Sequence, residues 1–281
     1  MEKEIPHQLA TLGHPQRLAI FRLLMRRYPD ELPAGEIAQV LDVKASTLSA
    51  YLNALMGAGL VAQNRVGTSL RYAIDMKSVQ GMFGHILNDC CRGRPDLCIP
   101  VSSAEMEKAM TDTDQKYNVL FICTGNSARS IFAETILREI AGDRFNAYSA
   151  GTRPTSELNP FAVDLLRHKG HDITPLRSKN IQEFAGEGAP RLDFVFTVCD
   201  RAANEECPAW TGQPISAHWS TQDPVKADGT DAEKSLAFQR AYGALLNRIR
   251  AFTALPITSL DRISLQAAVD DIARTGEGEI A

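Results

Sequence analysis

The sequence predicts two domains of different class, a mostly α-helical domain followed by an α/β domain. A chain of 281 residues is long enough for two domains of ordinary size. In the first part, apolar residues recur at helical spacing around one candidate hairpin, whereas later β-rich runs alternate with helical segments. Such alternation is typical of a parallel sheet covered on both faces. We expect domains at 1–100 and 116–281, joined by a polar linker at 101–115.

Charge is divided unevenly between these regions. Residues 1–100 carry 11 Lys and Arg against 9 Asp and Glu, and the remainder carries 19 against 25. A weakly positive first domain is compatible with nucleic-acid binding. The sequence has no apolar signal segment and no apolar run of membrane-spanning length, so we expect a cytoplasmic protein with no membrane partner. In that reducing compartment, six cysteines indicate chemistry or metal binding rather than structural disulfides.

The first domain is predicted to contain helices around a β-ribbon. Apolar spacing and turn residues indicate a helix from Gly13, a second at 34–41 and a third that ends at Gly59. Two short strands around a glycine turn follow at 61–74, and another helix is predicted at 76–87. This order is the layout of a winged helix-turn-helix. The second helix of that motif, here the third predicted helix, which ends at Gly59, would enter the major groove of DNA.

The same segment resembles the arsenical-resistance repressor family of metalloregulators. The resemblance is clearest in Ala45-Ser-Thr-Leu-Ser-Ala-Tyr51-Leu and in Ala58-Gly-Leu-Val61. It implies a homodimer built partly by the helix at 76–87, and a two-fold partner would also supply the phosphate contacts that one small module lacks. It further implies operator DNA contacts from Ser46, Thr47, Ser49, Tyr51, Arg65 and Arg71. The alternative is a solvated helix face with ordinary surface arginines.

Three thiols lie within nine residues at the end of that last helix, at Cys90, Cys91 and Cys98. Soft thiolates select soft ions, and three thiolates favour a three-coordinate ion such as As(III) or Sb(III) over tetrahedral zinc. We therefore expect the inducer site here. Two alternatives stay open: a zinc site with His85 as the fourth ligand, and cysteines that bind no ion.

An anion site is predicted where the apolar run 118–122 ends at Cys123. A strand, a tight loop and a helix start form a nest of backbone N–H groups that suits a tetrahedral oxyanion. There Cys123 should have a depressed pKa and attack as a thiolate, while Arg129 grips the anion's oxygens with two donors. The predicted anion-binding residues are Thr124, Gly125, Asn126, Ser127, Ala128, Arg129 and Ser130. The alternative is a buried cysteine that merely ends a strand.

Cys123 through Ser130 resembles the low-molecular-weight tyrosine phosphatase fold, and specifically its arsenate reductase branch. Ser149-Ala-Gly-Thr152 and Asp223-Pro224 also fit, and the resemblance spans roughly 116–275. It implies a four-stranded parallel sheet with helices on both faces. The β-rich runs of the sequence themselves predict the strands, at 118–122, 145–150, 192–198 and 215–219.

The resemblance also implies that Asp223 protonates the leaving oxygen, which chemistry needs because oxide is a poor leaving group. A turn-forming Asp-Pro is the alternative. Phosphatases of this fold usually carry aromatic residues after that proline. Val225 and Lys226 stand there instead, which argues against a phosphotyrosine pocket.

The presence of Cys199 and Cys207 favours a reductase over a phosphatase. Reduction of As(V) to As(III) consumes two electrons, so a second thiol must join Cys123 in a disulfide. By resemblance, Cys199 and Cys207 relay that disulfide outward to a thiol reductant such as thioredoxin, and no tightly bound cofactor is expected. Cys207 lies eight positions after Cys199, which is one position more than in the pattern of the arsenate reductase branch. A single resolving cysteine served by glutaredoxin or a small thiol, and two buried structural cysteines, remain as alternatives.

These features together predict a bifunctional arsenic-resistance protein, an arsenite-responsive repressor fused to a cysteine-dependent arsenate reductase. Cys123 would attack arsenic and Cys199 would then attack Cys123, while Asn126 braces the loop and Ser130 hydrogen-bonds the thiolate. Two alternatives belong to other classes. One is a regulator whose second domain is a phosphatase or an anion sensor, and the other is a reductase whose first domain only dimerises.

Overall fold

The computed structural model describes residues 4–90, 116–186, 188–205, 208, 210 and 213–275. The chain divides into two compact units, the first up to Lys108 and the second from Ala109 onward. The predicted linker at 101–115 lies outside the described residues. Within the described part, no helix combines the length and apolar character needed to cross a membrane.

The first unit packs helices against a small antiparallel sheet in the order β1-β3-β2. Its described elements are α1 (Glu4–Leu12), α2 (Pro15–Arg27), β1 (Leu32–Pro33), α3 (Ala34–Leu41), α4 (Ala45–Gly57), β2 (Val61–Val66), β3 (Ser69–Ile74) and α5 (Met76–His85). A π-helical turn, Ile86–Cys90, follows α5. The predicted helical, winged arrangement is therefore confirmed.

Two details of the first unit differ from the sequence-based expectation. Helix α1 was not predicted, and it is fixed by the buried Gln8 side chain, which donates to the Ala58 carbonyl at 3.1 Å and to the Ser78 hydroxyl at 3.0 Å. The spacing of apolar residues in the sequence predicts that Leu18 belongs to the apolar stripe of α2, but Leu18 is exposed, whereas Leu23 is fully buried.

The second unit is built on four parallel strands, as predicted, and their order is β5-β4-β6-β7. The strands are β4 (Tyr117–Cys123), β5 (Phe145–Gly151), β6 (Phe194–Thr197) and β7 (Ile215–His218). The helices are α6 (Arg129–Ala141), α7 (Pro160–His168), α8 (Asp200–Asn204), α9 (Asp231–Thr253) and α10 (Arg262–Thr275). Because all four strands run the same way, their carboxyl ends meet at one edge, where such sheets bind ligands.

The apolar spacing of the sequence predicts a helix at 238–254, but helix α9 starts seven residues earlier, at Asp231. Thr230 and Glu233 form a capping box there, in which each side chain satisfies the other residue's backbone N–H. Helices α8 and α10 were not predicted, and β6 is shorter than the expected 192–198.

An aromatic cluster fills the centre of this unit and fixes the strands that carry the cysteines. Phe196 of β6 stacks on Trp219 with ring centroids 4.0 Å apart, and both contact Phe252 of α9. All three side chains are fully buried. Their packing holds the sheet edge above them in a defined geometry.

Candidate active site

The loop between β4 and α6, here called the anion loop (residues 123–130), is tied down by its carbonyl groups. Four of them accept backbone N–H bonds of 2.9–3.1 Å from the segment at 152–159: Cys123 from Thr152, Thr124 from Arg153, Gly125 from Thr155 and Ser127 from Asn159. The first N–H groups of α6 have no intrahelical acceptor. A loop held from outside, with open donors at a helix start, is suited to an oxyanion.

Gly151 allows the anion loop to approach β5 closely. A Cβ atom at this position would lie 2.7 Å from the Thr124 carbonyl oxygen and 3.1 Å from atoms of Asn126. Asn126 itself adopts a left-handed conformation, with φ of 46°. The Gly151 position therefore excludes a side chain for a steric reason.

Cys123 lies at the base of the loop and is 3% exposed. Its sulfur is 2.9 Å from the Ser130 Oγ, so the hydrogen bond predicted between these residues is present. The backbone N–H of Asn126 donates to the same sulfur at 3.1 Å. Two donors to one sulfur stabilise its thiolate form.

The pKa of Cys123 nevertheless departs from the sequence-based expectation. Burial raises the pKa of this thiol and the neighbouring Cys199 raises it further, whereas the Ser130 hydroxyl and the Arg129 guanidinium lower it. The prediction of a depressed pKa is therefore wrong for this geometry. Burial outweighs the donors because desolvation penalises the charged form.

Arg129 and Asp223 form an ion pair over the loop. The Arg129 Nη2 lies 2.9 Å from the Asp223 Oδ2, and its Nη1 donates to the Thr221 carbonyl at 3.0 Å. Asp223 also accepts the Val225 N–H at 3.2 Å, which caps a short 3-10 turn. The residue expected to protonate the leaving group thus directly contacts the residue expected to grip the anion.

Cys199 follows β6 and precedes α8, with 1% of its surface exposed. The Ala202 N–H donates to its sulfur at 3.4 Å, and the Thr124 Oγ1 lies 3.5 Å from it. Cys199 lines the same cleft as Cys123, Arg129 and Asp223. The structure therefore brings together four of the five predicted catalytic residues, and Cys207 lies outside the described residues.

The predicted inducer site is described only at Cys90. This thiol is exposed in the π-helical turn after α5. Cys91 and Cys98 lie outside the described residues, so the As(III) site stays a prediction. The His85 Nε2, considered for zinc, lies 3.2 Å from the Asp89 carboxylate.

The predicted DNA-binding residues of α4 form an accessible surface. Ser46, Thr47 and Ser49 are exposed in its first half. Tyr51 is half-buried, and its ring lies 5.0 Å from that of His14. A helix that presents several small hydroxyl side chains fits a major-groove reading helix.

The two arginines of the wing differ from each other. Arg65 is exposed on β2, and its Nε donates to the Gly67 carbonyl at 3.2 Å. Arg71 is half-buried on β3, where its Nη1 donates weakly to the Glu31 carbonyl at 3.4 Å. In this geometry Arg65 is the better placed of the two for a phosphate contact.

Glu134 and Lys179 were not singled out from the sequence. Their side chains form a salt bridge of 2.9 Å, and each is 8% exposed. Glu134 lies on α6 among buried apolar residues. A charged residue on the apolar face of a helix was the available signal, but its partner 45 residues away could not be inferred.

Comparison with known proteins agrees with this geometry. Residues 118–262, more than half of the chain, match the family model of the low molecular weight phosphotyrosine protein phosphatases. The chain belongs to this family. A helix-turn-helix domain model matches residues 12–64 of the first unit.

Curated relatives that match about half of this chain include arsenate reductases. That of Halalkalibacterium halodurans is 38% identical over 134 residues, which covers 48% of this chain and 93% of that protein. That of Bacillus licheniformis is 39% identical over 137 residues, covering 49% of this chain and 95% of the relative.

Among solved structures, the first unit is similar to the homodimeric winged helix-turn-helix DNA-binding domain of a possible ArsR-family transcriptional regulator from Mycobacterium bovis. The two are 30% identical, with a TM-score of 0.26, and the match covers 29% of this chain and 73% of that one.

Proposed function

We propose that this chain reduces arsenate to arsenite with its own thiols, and that its first unit binds operator DNA. The observation that carries the enzymatic part is the second buried cysteine, Cys199, in the cleft of Cys123. Hydrolysis of a phosphate ester needs one nucleophilic sulfur and water. A two-electron reduction needs a second sulfur within reach.

In the proposed reaction, arsenate binds the amides of the anion loop and Arg129. The Cys123 thiolate forms a bond to arsenic while Asp223 gives its proton to the departing oxygen, which leaves as water. The loop donors stabilise the negative charge that develops on the remaining oxygens. For this step, the Arg129–Asp223 pair must open so that each side chain faces the substrate.

Electron transfer follows when the Cys199 thiolate attacks the Cys123 sulfur. A disulfide forms between the two sulfurs, the sulfur–arsenic bond breaks, and its electron pair stays on arsenic, which departs as As(III). Cys207 then accepts the disulfide, and an external thiol reductant regenerates the enzyme. Thioredoxin, glutaredoxin and low-molecular-weight thiols are the candidate donors, all consistent with a cytoplasmic location.

A phosphatase is the second candidate, since it would use the same Cys123, Arg129 and Asp223. The rim beside the proposed acid disfavours it for aryl phosphates, because Val225 and Lys226 are exposed there and offer no aromatic surface. Turnover of arsenate and of para-nitrophenyl phosphate, measured side by side, separates the two. We expect arsenate-dependent oxidation of thiols in the reductase, and hydrolysis without thiol oxidation in a phosphatase.

For the first unit, we propose a homodimer that releases its operator when As(III) or Sb(III) binds Cys90, Cys91 and Cys98. Exposure of Ser46, Thr47 and Ser49 supports the DNA contact. A gel-shift titration with and without arsenite tests this proposal. Binding that is unaffected by arsenite would leave a constitutive DNA-binding module, and absence of binding would favour a dimerisation domain.

A further inference from the structure

A buried ion pair lies close to the anion loop but outside the cleft. The Lys179 Nζ is 2.9 Å from the Glu134 Oε2, and neither residue lines the cleft that holds Cys123. Removing charges from water costs free energy that their mutual attraction often fails to recover. The proposed chemistry uses neither side chain, so the contacts of the pair indicate its role.

The first contact fixes the orientation of the Asn126 amide. Its Oδ1 lies 2.6 Å from the backbone nitrogen of Lys179. Because a backbone N–H can only donate, the amide oxygen must face Lys179. The Asn126 Nδ2 therefore faces the other way, where it donates to the Ser149 Oγ at 2.8 Å and to the Ser130 Oγ at 2.9 Å.

The second contact fixes the direction of the Ser149 hydroxyl. Its oxygen already accepts a hydrogen from Asn126, and the hydroxyl donates to the Glu134 carboxylate. An ionised carboxylate can only accept, so this bond cannot be reversed. Asn126 and Ser149 are fully buried, which leaves no room for water to replace these partners.

The fixed orientation of the Asn126 amide determines where the Ser130 hydroxyl beside Cys123 can donate. Both hydrogens of the Asn126 amide are used on hydroxyl oxygens, so the Ser130 hydroxyl accepts one and must direct its own hydrogen elsewhere. The sulfur of Cys123 lies 2.9 Å from that oxygen. The donors therefore diverge at the Asn126 amide: one branch runs through the Ser149 hydroxyl to Glu134, and the other runs through the Ser130 hydroxyl to the Cys123 sulfur.

We propose that this buried ion pair holds the Ser130 hydroxyl in place as a hydrogen-bond donor to the Cys123 sulfur. Glu134 and Lys179 are thus positioning residues that touch neither substrate nor the reacting sulfur. The inference rests on the proposed function only in taking Cys123 as the nucleophile.

The test is the pH dependence of Cys123 alkylation by iodoacetamide in the full chain, followed on the Cys123 peptide by mass spectrometry. The variant Glu134→Leu with Lys179→Met removes both buried charges together, a replacement that proteins often tolerate. Arg138, which is 34% exposed, then loses only a long contact of 3.8 Å to Glu134. We expect its midpoint to rise by about one pH unit, with alkylation near pH 7 about tenfold slower. A melting curve close to that of the unchanged protein would show that the fold is kept.

Ser149→Ala is the second variant, because it breaks the chain of hydrogen bonds while leaving the ion pair in place. It should also raise the pH midpoint of Cys123 alkylation. Adding Ser130→Ala to it should have little further effect, since both substitutions act through the Ser130 hydroxyl. Glu139→Gln is the charge control, because Glu139 is exposed on the same helix α6.

The proposal is overturned if Ser149→Ala, or the folded double variant, keeps the midpoint of the unchanged protein and of Glu139→Gln. It is also overturned if Ser130→Ala leaves the midpoint in place. The assay needs no arsenate. A chain that fails to reduce arsenate but shows the shifted midpoints would refute the proposed function and leave this inference standing.

Discussion

Cys123 and Cys199 occupy matching positions in the sheet, yet their surroundings differ. Cys123 is the last residue of the central strand β4, Cys199 follows the central strand β6, and each precedes a helix. Both are almost fully buried. The sulfur of Cys123 contacts a hydroxyl at 2.9 Å and a backbone N–H at 3.1 Å, whereas the Cys199 sulfur has one N–H at 3.4 Å and a hydroxyl at 3.5 Å.

This difference in hydrogen bonding favours different chemical roles for the two cysteines of the cleft. Short donors prepare Cys123 to carry negative charge and to attack an electrophile. Cys199 has weaker contacts, and the short helix α8 that it caps has only five residues, so less structure opposes its displacement toward Cys123. The first sulfur is suited to bind the substrate, and the second is suited to resolve the adduct.

The largest expected effect follows from replacing the first sulfur. Cys123→Ser should lower both arsenate reduction and para-nitrophenyl phosphate hydrolysis by about 10⁴-fold or more, since a nucleophile acts as part of a unit. Steady-state assays with both substrates check this. Retention of either activity in the variant would mean that another group attacks.

Cys199→Ser should separate the two activities. Arsenate turnover should be lost, because the adduct cannot be resolved, while any hydrolysis of para-nitrophenyl phosphate should stay within about twofold, since only Cys123 is needed. The two assays, run on the variant and on the unchanged protein, give the ratio of arsenate turnover to para-nitrophenyl phosphate hydrolysis. Equal losses in both would place Cys199 in the first chemical step and remove the distinction between the cysteines.

Asp223→Asn should lower kcat for arsenate by about 10²- to 10⁴-fold, the usual contribution of a general acid. Its charge also offsets that of Arg129 at 2.9 Å. Loss of the pairing should therefore lower the pKa of Cys123, because the Arg129 charge acts in that direction. Thiolate absorbance followed against pH checks the sign, and an upward move would contradict it.

Gly151→Ala should destabilise the protein through the anion loop. The new Cβ would lie 2.7 Å from the Thr124 carbonyl oxygen, and such overpacking costs about 1–3 kcal/mol. Gly243→Ala on α9 is the matched control, since nothing lies within 4 Å of its Cβ, and a gain of about 0.5–1 kcal/mol is expected. Thermal unfolding measures the stability of both variants. A melting temperature of Gly151→Ala equal to that of the unchanged protein would show that the anion loop accommodates the methyl group without loss of stability.

The smallest expected effect is the pH dependence of the unchanged protein. Burial raises the pKa of Cys123, so its thiolate fraction should be low at neutral pH and should rise as pH increases. Alkylation of the Cys123 peptide across pH 6–10 gives the midpoint, and the same reaction in the unfolded chain is the comparison. A Cys123 midpoint that is lower in the folded protein than in the unfolded chain would show that the donors outweigh burial.

The two cysteines also show what the sequence can and cannot predict. The anion loop was predictable because its residues are contiguous, and Ser130 lies one helical position beyond Arg129. The parallel sheet was predictable from the alternation of strands and helices. The carboxyl ends of β4 and β6 then had to lie together, which brings Cys123 and Cys199 to one edge.

Features set by burial or by distant contacts were missed. The direction of the Cys123 pKa depends on desolvation, which no local pattern reports. The ion pair of Glu134 and Lys179 joins residues 45 positions apart, and only the folded loop places them together. The early start of α9 was a different kind of miss, since Thr230 and Glu233 form a readable capping box.

Arsenate should oxidise Cys123 and Cys199 together, because the two electrons that reduce it come from these two sulfurs. The most direct measurement is to incubate the fully reduced chain with arsenate, block the remaining thiols and map disulfides by mass spectrometry. We expect one arsenite released per disulfide, with a Cys123–Cys199 bond trapped when Cys207 is replaced by serine. Release of arsenite without that bond, or thiols that all remain free, would contradict the account.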